Sequence, residues 1–191
     1  MKILLIGDIV GEPGRNIVSV LLPKIKWEED VEFVIANGEN IAGGSGITPK
    51  TAMELFDTGI DVITTGDHIW DRKEIKEIID TEDRVLRPAN LPKGVPGRGA
   101  AVYKSKGGFL VGVINIIGRI FMSNYDCPFR TVKEEIEKIR GKTPIIAVDI
   151  HAEATSEKIA MGWYLDGMVS VIAGTHTHVQ TADEKILPRG T

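Results

Sequence analysis

The sequence predicts an α/β domain whose strands form a mixed sheet or two packed sheets. Three observations carry this. Short runs rich in Val and Ile recur along the chain, segments with helical spacing lie between them, and one run doubles back in the middle as a hairpin.

Strands are expected at residues 3–6, 31–36, 62–65, 109–117, 144–150 and 168–173, because Val and Ile favour buried strands over helices. Helices are expected between them. Residues 15–25 place Ile17, Val18, Leu21 and Leu22 on one face, and 51–57 offer Met53, Leu55 and Phe56. Residues 72–79 set Ile75, Ile78 and Ile79 against Lys and Glu. Residues 132–139 carry Val132, Ile136 and Ile139, and 157–165 carry Ile159, Ala160, Trp163 and Tyr164. The stretch 84–102 is rich in Gly and Pro and reads as loop with short edge strands. Residues 100–105 and 109–117, joined by Lys106-Gly107-Gly108, read as a β-hairpin. Residues 179–191 begin like another strand and stop at Leu187-Pro188-Arg189-Gly190-Thr191.

A length of 191 residues suits one domain, taken as 1–191, with a core of its own. The net charge of -4 argues against DNA or another bulk polyanion held by charge alone. It offers no obvious track for single-stranded RNA, and whether RNA is cut stays open at this point. A small phosphorylated ligand is compatible, since a metal could supply positive charge locally. The single cysteine, Cys127, rules out an internal disulfide framework. The apolar run after Met1 is too short for a signal peptide, and nowhere do 18 apolar residues run together. The cytoplasm is therefore the expected compartment.

The four histidines, His68, His151, His176 and His178, each fall just past the end of an apolar run. Asp8 ends another run, and Glu39 follows a further one. Ligands of open α/β sheets bind beyond the carboxyl ends of strands. Taken singly, each segment has a structural explanation. Asp8 and Asp67 could cap helices, Asn37-Gly38-Glu39-Asn40 could be a surface turn, and a lone histidine is usually hydrogen-bonded framework. Counted together, they predict a metal site. Asp67 could coordinate, and His68 could exchange a proton near neutral pH. His151 is a candidate ligand with Glu153 as its supporting partner. Gly174-Thr175-His176-Thr177-His178 is the strongest motif: residues two apart on an extended chain face one side, so both imidazoles can enter one pocket. With no cysteine among them, carboxylate, amide and imidazole donors suit Fe, Mn, Zn or Co in an open catalytic site. There are too many for one metal. Two ions roughly 3.5–4 Å apart, sharing one carboxylate, would use them all. Gly7, Gly11 and Gly14 lack the spacing of a dinucleotide-binding loop, and that alternative leaves the histidines unexplained.

These residues resemble the calcineurin-like metallophosphoesterases, and within them the YmdB-like phosphodiesterases. The resemblance rests on the Gly-Asp start, Asn-Gly-Glu-Asn at 37–40, Asp-Cys-Pro-Phe at 126–129, His-Ala-Glu-Ala-Thr-Ser-Glu-Lys at 151–158 and Gly-Thr-His-Thr-His-Val-Gln-Thr-Ala-Asp at 174–183. It implies a β-sandwich of two sheets flanked by helices, with a two-metal site, often iron, with Mn or Zn as alternatives. It implies hydrolysis of small phosphodiesters, characteristically 2′,3′-cyclic nucleotides, through attack of a hydroxide bridging the metals. On this sequence, Asp8, Glu39, Asn40 and His178 would hold one metal. Glu39 would bridge, and Asp67, His151 and His176 would complete the second. His68 would stay outside the ligand set and assist the leaving oxygen or steady the phosphate. Two departures are expected to matter. The family usually has Asn where this chain has Asp67, which adds negative charge beside the metals. Relatives also continue for several dozen residues beyond Thr191, adding strands to the second sheet that are missing here; an uncovered sheet edge would invite self-association. The competing reading is a regulator of the same fold that binds metal and nucleotide, or a partner protein, without turnover.

Overall fold

The computed structural model describes residues 1–191. The first half alternates strand and helix: β1 (Lys2–Ile6), α1 (Gly11–Glu28), β2 (Val31–Asn37), α2 (Pro49–Thr58), β3 (Val62–Thr64) and the short β4 (Val85–Leu86). The second half contributes β5 (Ala100–Lys104), β6 (Leu110–Ile117), α3 (Pro128–Arg140), β7 (Ile146–His151), α4 (Thr155–Leu165) and β8 (Val171–Thr175). Two four-stranded sheets result, in the orders β1-β2-β3-β4 and β5-β6-β7-β8. All pairings are parallel except the β5–β6 hairpin. β8 is an outer strand of its sheet.

The two-residue period of the strands sorts the core into three layers. On β2, Phe33 and Ile35 pack between the sheets with Val62, Leu86, Val111, Val113 and Ala147. Their alternates Val34 and Ala36 face outward with Leu22, Leu55 and Ile63. On the second sheet, Ile114, Ile116, Val148 and Ile150 face outward onto Val132, Ile136 and Met161 of α3 and α4. The molecule is therefore the expected sandwich of two sheets with helices outside.

Local chemistry sets the element ends. Thr48 caps α2 in a reciprocal pair with Thr51, Pro49 opens the first turn, and Gly59 closes it in the left-handed conformation at φ 105°. Two expectations are corrected. Residues 72–79 form a tight 3₁₀ segment at Lys73–Glu77, not an α-helix. The spacing of Ile75, Ile78 and Ile79 fits either geometry, and so short a segment cannot sustain an α-helix by itself. Residues 179–191 form no strand. They end in a turn closed by Leu187 N–H to Thr191 O at 2.9 Å.

Candidate metal centre

The space between the sheets changes character along the strands. β7 points Ala147, Asp149 and His151 inward, and the first of these lies in the apolar layer. Asp149 and His151 follow towards the carboxyl end, where Asn37 of β2 and Thr64 of β3 meet them from the other sheet. The loops after β1, β2, β3 and β8 then bring in the acids and the remaining imidazoles.

Glu39, Asp67, His151 and His176 converge so that one donor atom of each lies within 4.8 Å of the others. His151 Nε2 is 3.2 Å from Glu39 Oε1, 3.1 Å from Asp67 Oδ1 and 3.0 Å from His176 Nδ1. Gly66 keeps the space open, because a Cβ there would overlap both His151 Nε2 and Glu39 Oε2. With Glu39 and His151 buried and Asp67 and His176 partly so, donors this close need a proton or a metal ion shared among them. The donor set is all nitrogen and oxygen, and it fits a transition-metal ion.

A second set adjoins the first through Glu39. His178 Nε2 lies 3.6 Å from Asp8 Oδ1 and 3.4 Å from Asn40 Nδ2. Asn40 Nδ2 also meets Glu39 Oε1 at 3.1 Å, while its Oδ1 faces His68 Nδ1 at 2.9 Å. A half-turn of the Asn40 amide would present its oxygen to His178 and Glu39 instead. Asp8 also accepts the His176 backbone N–H, at 3.2 and 3.0 Å, tying the β1 loop to the β8 loop. His68 stands beside both sets. Its backbone N–H donates to Glu39 Oε2 at 3.2 Å, and its ring is 3.6 Å from Glu39 Oε1 and 3.7 Å from Asp67 Oδ2. Its side chain is 41% exposed and that of His178 44%, so both rings face solvent at the edge of the cluster.

The titrations reflect this crowding. Burial pulls His151 down, but hydrogen bonds to Asp67 and Glu39 and their charges outweigh it and lift the ring to about 10. Burial pushes Asp67 up, and the His151 hydrogen bond and nearby positive charge overcome it, leaving the carboxyl at about 2. A cation binding at His151 Nε2 would therefore have to displace a proton. Burial raises Asp149, against hydrogen bonds from Thr64 and Thr175. The Tyr125 phenol is also raised, first by burial and further by the charges of Asp67 and Glu39.

All eight candidate residues therefore gather at one end of the sandwich, but two of the local reasons differ from expectation. β8 stops at Thr175, so His176 and His178 do not reach the pocket by strand alternation. They sit at φ 96° and φ 51°, and these turns in the left-handed region aim the two rings inward. Glu153 supports His176, not His151: its Oε2 lies 3.0 Å from His176 Nε2. Asn37, Thr64, Asp149 and Thr175 were not singled out as site residues. For Asp149 the signal is the inward register of β7, which places it two residues before His151 on the same face.

The chain resembles known proteins in both sequence and fold. A family described as YmdB-like protein matches residues 4–191. The chain is 51% identical over 191 residues to the 2′,3′-cyclic-nucleotide 2′-phosphodiesterase of Bacillus subtilis, covering 100% of this chain and 72% of that protein. A crystal structure of a hypothetical protein from Thermus thermophilus superposes with a TM-score of 0.93 at 42% identity, covering 100% of this chain and 73% of that one. That of a novel phosphatase from Mycoplasma pneumoniae superposes at 0.92 and 34% identity, covering 100% of this chain and 69% of that one. With its sequence matched almost end to end and its two-sheet fold shared with these structures, the chain belongs to the YmdB-like family.

Proposed function

We propose that this protein is a metal-dependent phosphodiesterase that hydrolyses small phosphodiesters, 2′,3′-cyclic nucleotides foremost. The observation that carries the reading is the convergence of Glu39, Asp67, His151 and His176 on one point, with Asp8, Asn40 and His178 adjoining through Glu39. The name of the Bacillus relative supports the substrate class. Glu39, Asp67, His151 and His176 would hold one metal. Asp8, Asn40 and His178 would hold the other together with Glu39, Asn40 contributing its amide oxygen. When bound, such a pair neutralises phosphate charge and makes water acidic enough to attack at neutral pH. The family resemblance points to iron, and the mixed nitrogen and oxygen donors would accept Mn or Zn as well.

The chain's own residues do the rest. With the Asn40 amide turned so that its oxygen serves the metal, its Nδ2 would donate to His68 Nδ1, leaving the ring proton on Nε2 to pass to the leaving oxygen as the ester bond to phosphorus breaks. Glu153 holds His176 through Nε2, so that Nδ1 turns inward. The reading takes residues 1–191 as a single domain, acting in the cytoplasm on small diesters and not on DNA. No helix is long and apolar enough to cross a membrane.

The test is hydrolysis of bis-p-nitrophenyl phosphate and of 2′,3′-cyclic AMP with added Mn²⁺. Both are expected to be cleaved, and a chelator or His151→Ala is expected to abolish cleavage. Binding of metal and nucleotide with no turnover would replace this reading with that of a regulator.

A further inference from the structure

One polar chain beneath the cluster runs away from it into the core. Thr175 Oγ1 lies 2.8 Å from Asp149 Oδ1 and 2.9 Å from His151 Nδ1. These residues are 6%, 4% and 0% exposed, so they must satisfy one another. The hydroxyl has a single proton. Thr64 and Asn37 approach Asp149 Oδ2, and Thr175 donates its proton to Oδ1. Thr175 Oγ1 can then meet His151 only as an acceptor, and the ring must carry a hydrogen on Nδ1. The first sheet holds the arrangement from the other side. Thr64 donates to Asp149 Oδ2, and the Asn37 amide nitrogen approaches Asp149 Oδ2 at 3.4 Å and Thr175 Oγ1 at 3.3 Å. Asn37 is itself oriented by the Glu39 backbone N–H, which donates to its Oδ1 at 3.2 Å. The amide nitrogen also lies 3.3 Å from His151 Nδ1, but the shorter Thr175 contact claims that atom.

We propose that Asp149 and Thr175 are positioning residues: they form a buried relay that keeps the His151 proton on Nδ1 and frees Nε2 to bind metal beside Glu39, Asp67 and His176. This rests on the metal-centre reading above. A ring with its hydrogen on Nε2 would aim that hydrogen at the point where the cation must sit. Supporting partners of this kind are worth about 10- to 100-fold in metal affinity. The relay also joins the sheets, since Thr64 and Asn37 lie on the first and Asp149, His151 and Thr175 on the second.

The experiment titrates Mn²⁺ into the chelator-stripped full chain, with circular dichroism confirming the fold of each variant. The wild type should take up two ions. Thr175→Val, which removes the hydroxyl and keeps the shape, should weaken at least one ion by about 10- to 100-fold. Thr175→Ser should restore it, which loss of packing alone would not explain. Asp149→Asn keeps the volume, but its amide hydrogen can satisfy Thr175 and send the hydroxyl proton to Nδ1, so it should weaken binding as well. Wild-type affinity in Thr175→Val, or a Thr175→Ser protein as weak as Thr175→Val, overturns the relay while leaving the metal centre standing. Should Thr175→Val fail to fold, Asp149→Asn decides, and unchanged affinity there overturns the relay. A wild type that takes up no Mn²⁺ refutes the centre itself, and the relay with it.

Discussion

Asp67 carries a charge where an amide would serve as an oxygen ligand, and it is held ionised by His151. The Asp67→Asn variant should bind Mn²⁺ about 10-fold more weakly and show a displaced pH–rate profile; unchanged metal content and profile would show that the charge does nothing. His68 lies outside the converging group. Its replacement by Ala should lower turnover about 10²- to 10⁴-fold with both metals retained, as read by kinetics and elemental analysis. Loss of metal would move it into the ligand set. The His151 titration adds a third expectation. In the metal-free protein its folded value is raised from 6.5 to about 10. That contribution to stability is complete below the unfolded value and is lost as pH rises through about 10. Asp67 acts in the opposite sense: its contribution is present above its ordinary value and fades as pH falls through about 2. Metal binding at neutral pH must displace the His151 proton, so calorimetry in buffers of different ionisation heat should detect about one proton released per chain. At this scale the site was largely legible, because Asp8, Glu39 and His151 stand at or just beyond strand ends. What misled was local geometry. Glu153 is two residues from His151 but reaches His176, since the chain turns into α4 at that point.

Among the elements, the strands and the hairpin were readable from period and composition, while the site's floor was hidden in them. Asp149 sits in the run Ile146–His151, where one acid among apolar residues reads as a break in pattern. Only the pairing of β7 with β8, which puts Asp149 beside Ala173 and His151 beside Thr175, shows what it serves. The segment after β6 shows a similar device. Glu157, in the first turn of α4, accepts the backbone N–H of Arg119 at 3.1 and 3.0 Å and that of Ile120 at 3.3 Å. Gly118 before them donates to His151 O at 2.8 Å, so this loop is pinned to the strand that carries the ligand. Glu157→Ala should release the backbone N–H groups of Arg119 and Ile120 and cost about 1–2 kcal/mol, measurable by urea denaturation. An unchanged midpoint would show that water replaces the carboxylate.

Across the whole molecule, each candidate ion draws donors from both sheets. Glu39 and Asp67 follow strands of the first, and His151 and His176 come from the second. Metal should therefore act as a clamp. At a free concentration about 1,000 times Kd it would add about 4 kcal/mol, so chelation should lower Tm by several degrees. Equal melting with and without metal would mean that the sheets dock without help from the cluster. The α/β class followed from the alternation of Val/Ile runs with helical segments, but the division into two sheets needed long-range pairing that no local pattern reports. The most direct measurement is anomalous diffraction from crystals grown with Mn²⁺. Two peaks roughly 3.5–4 Å apart are expected, one among Glu39, Asp67, His151 and His176, the other among Glu39, Asp8, Asn40 and His178. No peak at these side chains, or ions only elsewhere on the molecule, would contradict the account.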